Sequence, residues 1–186
     1  MGCTNSYKQI REILSSQMSY EFFPISFSDL NAKIFFEEVC GDEYRYDDYT
    51  LKLIPTNHPL YTVGLRLESE HKTFIFITDN ELKAKNPLTT WDQFVSFCRD
   101  ADYLVHDAQF TEKEYPKRLG WGHSTFEQVL ALAHDAGVKN VGFFHHDPNR
   151  RDYALQKLEE KYQAQARLKG YKFKVFAIKE KYKLEL

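Results

Sequence analysis

The spacing of apolar residues changes near residue 90, and this change restricts the fold more than any other feature of the sequence. Before it, short apolar stretches at residues 50–55, 62–68 and 73–78 follow one another at hairpin spacing. Within the second stretch, Val63 and Leu65 alternate with glycine and arginine, which is the pattern of a half-buried strand. These stretches therefore predict mostly antiparallel strands, with a hairpin turn at residues 68–72 between the last two.

After residue 90, stretches with helical spacing alternate with short apolar stretches. The predicted helices cover residues 91–98, 124–136 and 151–169, and the predicted strands cover residues 103–106, 140–144 and 171–178. Ser124 and Glu127 have the spacing of a capping box, and Gly137 is placed to end the same helix. Repeated strand–helix–strand units favour parallel strands with helices packed on them. The sequence thus predicts one α/β domain over residues 1–186, with a mixed sheet and flanking helices.

The N-terminal residues predict a helix followed by a strand. Ile10, Ile13 and Leu14 have helical spacing, and Thr4 or Asn5 could cap the helix. Pro24 closes this region, and residues 32–37 have the composition of a strand.

Composition excludes several classes of protein. The chain has 42% hydrophobic and 28% charged residues, which suits a soluble globular domain, and its net charge of −2 gives no indication of nucleic-acid binding. The 3 cysteines form no CxxC motif, so we expect a reducing compartment, the cytoplasm, and no disulfide framework. No apolar run approaches the roughly 20 residues that span a bilayer. We therefore expect no membrane partner.

Polar residues that can bind metals follow three of the predicted strands. His58 follows the stretch at residues 50–55, Asp79 follows Thr78, and His145 follows Phe144. Imidazole and carboxylate groups at strand ends can converge on a divalent cation. Taken singly, each also fits an ordinary turn or loop residue.

Three other histidines are weaker candidates. His71 lies in a predicted turn, and His134 lies within an amphipathic helix, so both are expected to be structural. His106 fits either a buried residue at a strand end or a hydrogen-bond donor behind a metal ligand.

The order of these motifs resembles a known family. The motifs are the run from Ala101 to Phe110, Gly122-His123-Ser124-Thr125, Phe144-His145-His146-Asp147-Pro148 and, upstream, His58-Pro59, residues 64–67 and Thr78-Asp79. Together they resemble the second half of the metallo-β-lactamase superfamily, in the branch that includes ribonuclease Z and cyclic-phosphodiesterase relatives. This resemblance implies an incomplete αββα sandwich.

The resemblance also implies a role for each site residue. His58, Asp79 and His145 match metal ligands, with zinc, manganese or iron as the cofactor. His123 matches a histidine that assists departure of the leaving group, and Asp107 matches the acidic residue that orients it. His146 is the less suitable of the two adjacent histidines.

The sequence departs from the family in one respect, because it contains no His-x-His-x-Asp-His motif. The three ligands that remain could hold one cation but could not build a two-metal site. We therefore expect a truncated or degenerate phosphoesterase-type hydrolase with little or no activity as this chain alone. Incomplete covering of the core would also favour a homo-oligomer formed through an exposed sheet or core surface.

Two alternatives remain open at this point. The chain could be an active hydrolase for a phosphoester or nucleotide, using one metal or a motif supplied by a partner chain. It could instead be a non-catalytic module that binds a nucleotide or phosphate, with Arg66, Lys113 and Lys117 as weak candidate anion contacts.

Overall fold

The computed structural model describes residues 6–35 and 42–184. Contacts between Cα atoms divide the chain into two compact units, Met1–Gly41 and Asp42–Leu186. The first unit contains helix α1 (Ser6–Gln17) and a 3-10 turn (Phe27–Asp29). The predicted helix is confirmed, whereas its predicted caps lie outside the described residues.

The strand predicted at residues 32–37 is wrong over residues 32–35, which form no strand and are exposed. The rest of that prediction lies outside the described residues. A strand needs a neighbour to satisfy its backbone groups, and residues 32–35 pair with none of the described strands.

The second unit is built on a seven-stranded sheet whose spatial order follows the sequence. The strands are β1 (Glu43–Arg45), β2 (Tyr49–Pro55), β3 (Val63–Ser69), β4 (Thr73–Ile77), β5 (Tyr103–Asp107), β6 (Asn140–Phe144) and β7 (Lys174–Ala177). Strands β1 to β4 are antiparallel, and β4 to β7 are parallel. The predicted α/β class with a mixed sheet is confirmed.

One face of the sheet packs against the helices that connect the parallel strands. These are α2 (Trp91–Cys98), α3 (Phe126–Asp135) and α4 (Asp152–Leu168). Ile75 and Ile77 of β4 point to this face and are completely buried in one cluster with residues of all three helices. Complete burial of each such side chain contributes about 1.5–3 kcal/mol. The opposite face of β2 to β4 carries half-buried side chains, which are Leu51, Leu53, Leu65, Leu67, Phe74 and Phe76.

The start of α3 differs from the predicted capping box by one residue. Thr125 is the N-cap and accepts a hydrogen bond from the Gln128 amide, while Gln128 occupies the position that was predicted for Glu127. Ser124 is buried and bonds elsewhere: its hydroxyl donates to the Asn80 carbonyl at 2.5 Å and accepts from the Leu82 amide at 3.1 Å. The capping prediction was wrong because Ser124 ties the segment before α3 to the segment after β4.

The strand directions bring several segments to one edge of the sheet. Strand β2 runs antiparallel to β3, which runs antiparallel to β4, so β2 runs in the same direction as the parallel strands β4, β5 and β6. The carboxyl ends of these four strands therefore lie along the same edge of the sheet. The segments that follow these strands therefore lie close together. Within residues 6–35 and 42–184, no helix combines the length and the apolar character needed to cross a membrane.

Candidate metal centre

Four polar side chains meet at this edge of the sheet. His58 follows β2, Asp79 follows β4 and His145 follows β6, while His123 comes from the segment before α3. The Nε2 atom of His145 lies 3.6 Å from Oδ1 of Asp79. The ring of His123 stacks on the ring of His145, with 4.6 Å between their centroids. The ring of His58 packs edge-on against the ring of His123, with 5.7 Å between their centroids. The structure thus brings the sequence-predicted residues into one cluster.

The cluster offers the donor atoms that a divalent cation requires. Ligand atoms of His58, Asp79 and His123 all lie within 4.8 Å of one another. His145 is not part of that group, although it contacts Asp79 directly. Imidazole nitrogens and one carboxylate suit zinc, manganese or iron. The division into ligands and a catalytic histidine remains a prediction, because the mutually close group contains His123 and not the predicted ligand His145.

Two of the predicted ligands have unusual backbone conformations. Asp79 has φ +48° and His145 has φ +53°, in the left-handed region that costs a non-glycine residue on the order of 1–2 kcal/mol. Local hydrogen bonds hold Asp79 in place: the Thr56 hydroxyl donates to its carbonyl at 2.9 Å, and the Thr78 hydroxyl donates to Oδ2 at 2.8 Å. Strain of this kind is concentrated at functional sites, where surrounding contacts maintain it.

His123 is held by a buried carboxylate. Its Nδ1 donates to Oδ2 of Asp107 at 2.6 Å, and Asp107 is completely buried. The backbone amides of Asn80 and Gln109 also donate to Asp107, each at 3.1 Å. Partial burial lowers the pKa of His123, but the hydrogen bond and negative charge of Asp107 outweigh it, and the pKa is raised. Because Nδ1 is engaged by Asp107, Nε2 is the nitrogen of His123 that remains for the cluster.

The remaining histidines of these motifs each bond to a backbone carbonyl. His106 is completely buried; its Nδ1 donates to the Asp107 carbonyl at 2.7 Å and its Nε2 accepts from the Asn80 side chain at 3.1 Å. Burial lowers the pKa of His106, which favours this neutral form. His146 bonds through Nε2 to the Ile178 carbonyl at 3.1 Å. Burial also lowers the pKa of His146.

The three candidate anion contacts do not join the cluster. Arg66 donates to the carbonyls of Phe97 and Arg99 at 2.7 and 3.0 Å, and its Nε pairs with Glu68 at 2.5 Å. Its guanidinium is thus used to join β3 to the end of α2. Lys113 and Lys117 are exposed on the surface.

Glu81, a buried carboxylate that positions the segment before His123, was not predicted from the sequence. Its side chain accepts hydrogen bonds from the Tyr115 hydroxyl at 2.8 Å, the Gly120 amide at 3.0 Å and the Gly122 amide at 3.1 Å. Gly122 has φ +88°, and a Cβ there would lie 2.7 Å from the Pro59 ring and overlap the His58 ring. The available signal was the polar run from residue 78 to residue 81 directly after an apolar strand.

Comparisons with known proteins agree with this fold. A sequence model of the β-lactamase superfamily domain matches residues 8–146, more than half of the chain. The ribonuclease Z of Thermoplasma volcanium is 32% identical over 60 residues, which cover 32% of this chain and 20% of that protein. The ribonuclease Z of Nitrosopumilus maritimus is 39% identical over 56 residues, which cover 30% of this chain and 19% of that protein. The chain thus spans about a fifth of the curated relatives it matches.

Solved structures show the same fold at low sequence identity. The metallo-β-lactamase fold protein YhfI of Bacillus subtilis superposes with a TM-score of 0.57 at 16% identity, over 75% of this chain and 50% of that one. A diphosphatase from the PhnP family superposes with a TM-score of 0.60 at 17% identity, over 86% of this chain and 52% of that one. Since the match to the family covers most of the described strands and helices, the chain belongs to the metallo-β-lactamase superfamily.

Proposed function

We propose that this chain carries the site of a metal-dependent hydrolase that acts on phosphoesters. In this proposal His58, Asp79 and His145 hold one divalent cation, zinc before manganese or iron. The observation that carries the proposal is the convergence of these side chains with His123 at one edge of the sheet. The relatives named as ribonuclease Z support a phosphoester as the substrate.

The retained donors fit a cation chemically. The Nδ1 of His58 lies 3.1 Å from the Leu60 carbonyl and 3.2 Å from the Leu60 amide nitrogen, and the tautomer that donates to the carbonyl would leave Nε2 free as a ligand. Asp79 contributes a carboxylate whose Oδ2 is oriented by Thr78. When bound, a cation at these residues would supply an acidified water and offset negative charge on a phosphoryl oxygen.

In the proposal, His123 provides the proton that the leaving oxygen needs. Asp107 fixes the ring by its bond to Nδ1, so that Nε2 carries the proton that is transferred. Stacking on His145 and contact with His58 fix the plane of the ring from two sides.

We expect slow turnover by this chain alone. The three predicted ligands can hold one cation, whereas the family motif absent from this sequence would be needed for a second. A partner chain that brings such a motif would raise the rate.

The proposal is tested by measuring bound metal and hydrolysis of bis(p-nitrophenyl) phosphate on the same samples. Asp79→Ala should abolish both, whereas His123→Ala should retain metal and lose turnover. The exposed turn residue His71 provides the matched control, and His71→Ala should change neither quantity. Loss of metal in His123→Ala would instead make His123 a ligand, and full turnover in Asp79→Ala would refute the proposed site.

We further propose that the chain forms a homo-oligomer in the cytoplasm. The half-buried face of β2 to β4, which includes Leu65, Leu67, Phe74 and Phe76, is the surface on which a second copy would pack. The buried free thiol of Cys98 is consistent with a reducing compartment. Sedimentation should show a dimer or larger species, and a monodisperse monomer would contradict self-association.

A further inference from the structure

The segment from Arg118 to His123, here called the tryptophan loop, is held rigidly beside the proposed metal site. The amide of Trp121 donates to the Arg118 carbonyl at 3.1 Å, closing a turn. Glu81 binds the glycine amides on both sides of Trp121. Because the backbone of Gly122 lies against His58, the position of Trp121 is fixed relative to the histidine cluster.

Trp121 is exposed although the loop that carries it is anchored. Its side chain is 54% exposed, and the Arg118 guanidinium carbon lies 4.3 Å from the centre of its ring. A guanidinium at this distance attracts the face of an indole ring and restricts its orientation. The result is a preorganised aromatic surface with a positive charge next to it, two residues from His123.

We propose that Trp121 and Arg118 form a substrate-binding platform that stacks an aromatic ring joined to the phosphoester. This inference rests on the proposed function, in which the phosphoester binds at the metal site. An aromatic ring, such as a nucleobase, gains stacking energy on an exposed indole that is already ordered, because little side-chain entropy is lost on binding. Arg118 adds attraction for the negative charge of the phosphoryl group that the ring carries.

Leu119, Leu60 and Tyr61 are consistent with this class of substrate. They are 59%, 74% and 79% exposed, and they flank Trp121 and His58 in the sequence. Apolar groups around a polar site favour a substrate with an apolar part over one that is charged throughout. The platform therefore selects aromatic phosphoesters over aliphatic ones.

The test compares ligands that share a phosphate and differ in the ring. Adenosine 5′-monophosphate, phenyl phosphate and ribose 5-phosphate are titrated by calorimetry into the full chain in EDTA, so that the result is independent of bound metal. Alanine replacement of a stacking aromatic residue costs about 1–3 kcal/mol per base, or roughly 5- to 150-fold in affinity. Adenosine monophosphate should bind more tightly than ribose 5-phosphate by such a factor, and Trp121→Ala should remove the difference. Trp121→Phe should retain most of it.

A second readout and a control keep the test specific. In a Trp91→Phe background Trp121 is the only tryptophan, and its emission should be quenched by adenosine monophosphate. Tyr153 is also an exposed aromatic residue beside a cation, Lys157, so Tyr153→Ala is the matched control and should bind like the parent. Equal binding of phenyl phosphate and adenosine monophosphate would show that the platform accepts any aromatic ring. Tighter binding of the nucleotide would show that the platform prefers a nucleobase.

The platform is refuted if ribose 5-phosphate binds as tightly as adenosine monophosphate, or if Trp121→Ala binds the nucleotide like the parent. Both results would leave the metal and hydrolysis measurements of the proposed function unaffected. Conversely, the chain could bind ligands according to their ring and yet bind no metal. That result would refute the proposed hydrolase function and leave the platform standing.

Discussion

Replacement of Glu81 by glutamine tests whether this carboxylate holds the tryptophan loop in place. The side chain is 2% exposed and accepts from the Tyr115 hydroxyl and from the amides of Gly120 and Gly122. In glutamine one of the two accepting oxygens becomes an amide that can only donate, so the Tyr115 hydroxyl would have to turn to the Lys83 carbonyl, 3.3 Å away, for the two glycine amides to keep an acceptor. The replacement of charge-assisted hydrogen bonds by weaker neutral ones predicts a loss of about 1–3 kcal/mol in the free energy of unfolding.

Urea denaturation followed by tryptophan fluorescence measures this loss. Glu70→Gln is the control, because Glu70 is exposed in the turn between β3 and β4 and should change stability by less than about 0.5 kcal/mol. Glu81→Gln should also shift the emission of Trp121, since the loop that carries it would lose its anchor. A loss below about 0.5 kcal/mol for Glu81→Gln would show that the carboxylate does not hold the loop.

Three further predictions concern buried or paired groups. Asp107→Asn should lower kcat for bis(p-nitrophenyl) phosphate by roughly 10- to 100-fold while the metal content is retained, because the carboxylate acts by orienting the catalytic imidazole; equal loss of metal would contradict that role. Burial raises the pKa of Cys98 to about 12, so with the other cysteines replaced by serine its thiol should react with Ellman's reagent at pH 8 only after unfolding in urea. Partial burial would raise the pKa of Asp102, but a backbone amide and the Lys139 ammonium outweigh it, and the pKa is lowered. Its contribution to stability is thus present above about pH 4 and lost as pH falls through the folded-state pKa, so Asp102→Asn should destabilise at pH 7 and have little effect at pH 2 in urea titrations.

The strands that frame the site could be predicted because apolar side chains alternate or cluster in them. The predicted strand at residues 73–78 corresponds to β4, and the predicted helix at residues 91–98 corresponds to α2. Strand β1 was missed because Glu43-Tyr44-Arg45 carries charges and forms the outermost strand of the sheet, where little apolar surface is buried. Pattern alone therefore identified the elements that cover the core.

The site was predicted less completely, because its supporting contacts join distant parts of the chain. Asp79 and His145 were found from their positions after strands, but their left-handed backbone conformations have no local signal in the sequence. Glu81 is of a residue type that is usually exposed in loops, and its burial depends on Tyr115 and two glycine amides, which lie 34 to 41 residues later in the chain. Ser124 was assigned to a helix cap because its bond to the Asn80 carbonyl cannot be inferred from spacing.

The most direct test of the metal centre is anomalous diffraction from crystals soaked in zinc. We expect one anomalous peak at the edge of the sheet, about 2.0–2.2 Å from a nitrogen of His58, an oxygen of Asp79 and a nitrogen of His145. Crystals of Asp79→Ala grown and soaked in the same way should lack the peak. The absence of a peak in the parent protein, or a peak that does not contact Asp79, would contradict the assignment of this cluster as a metal site.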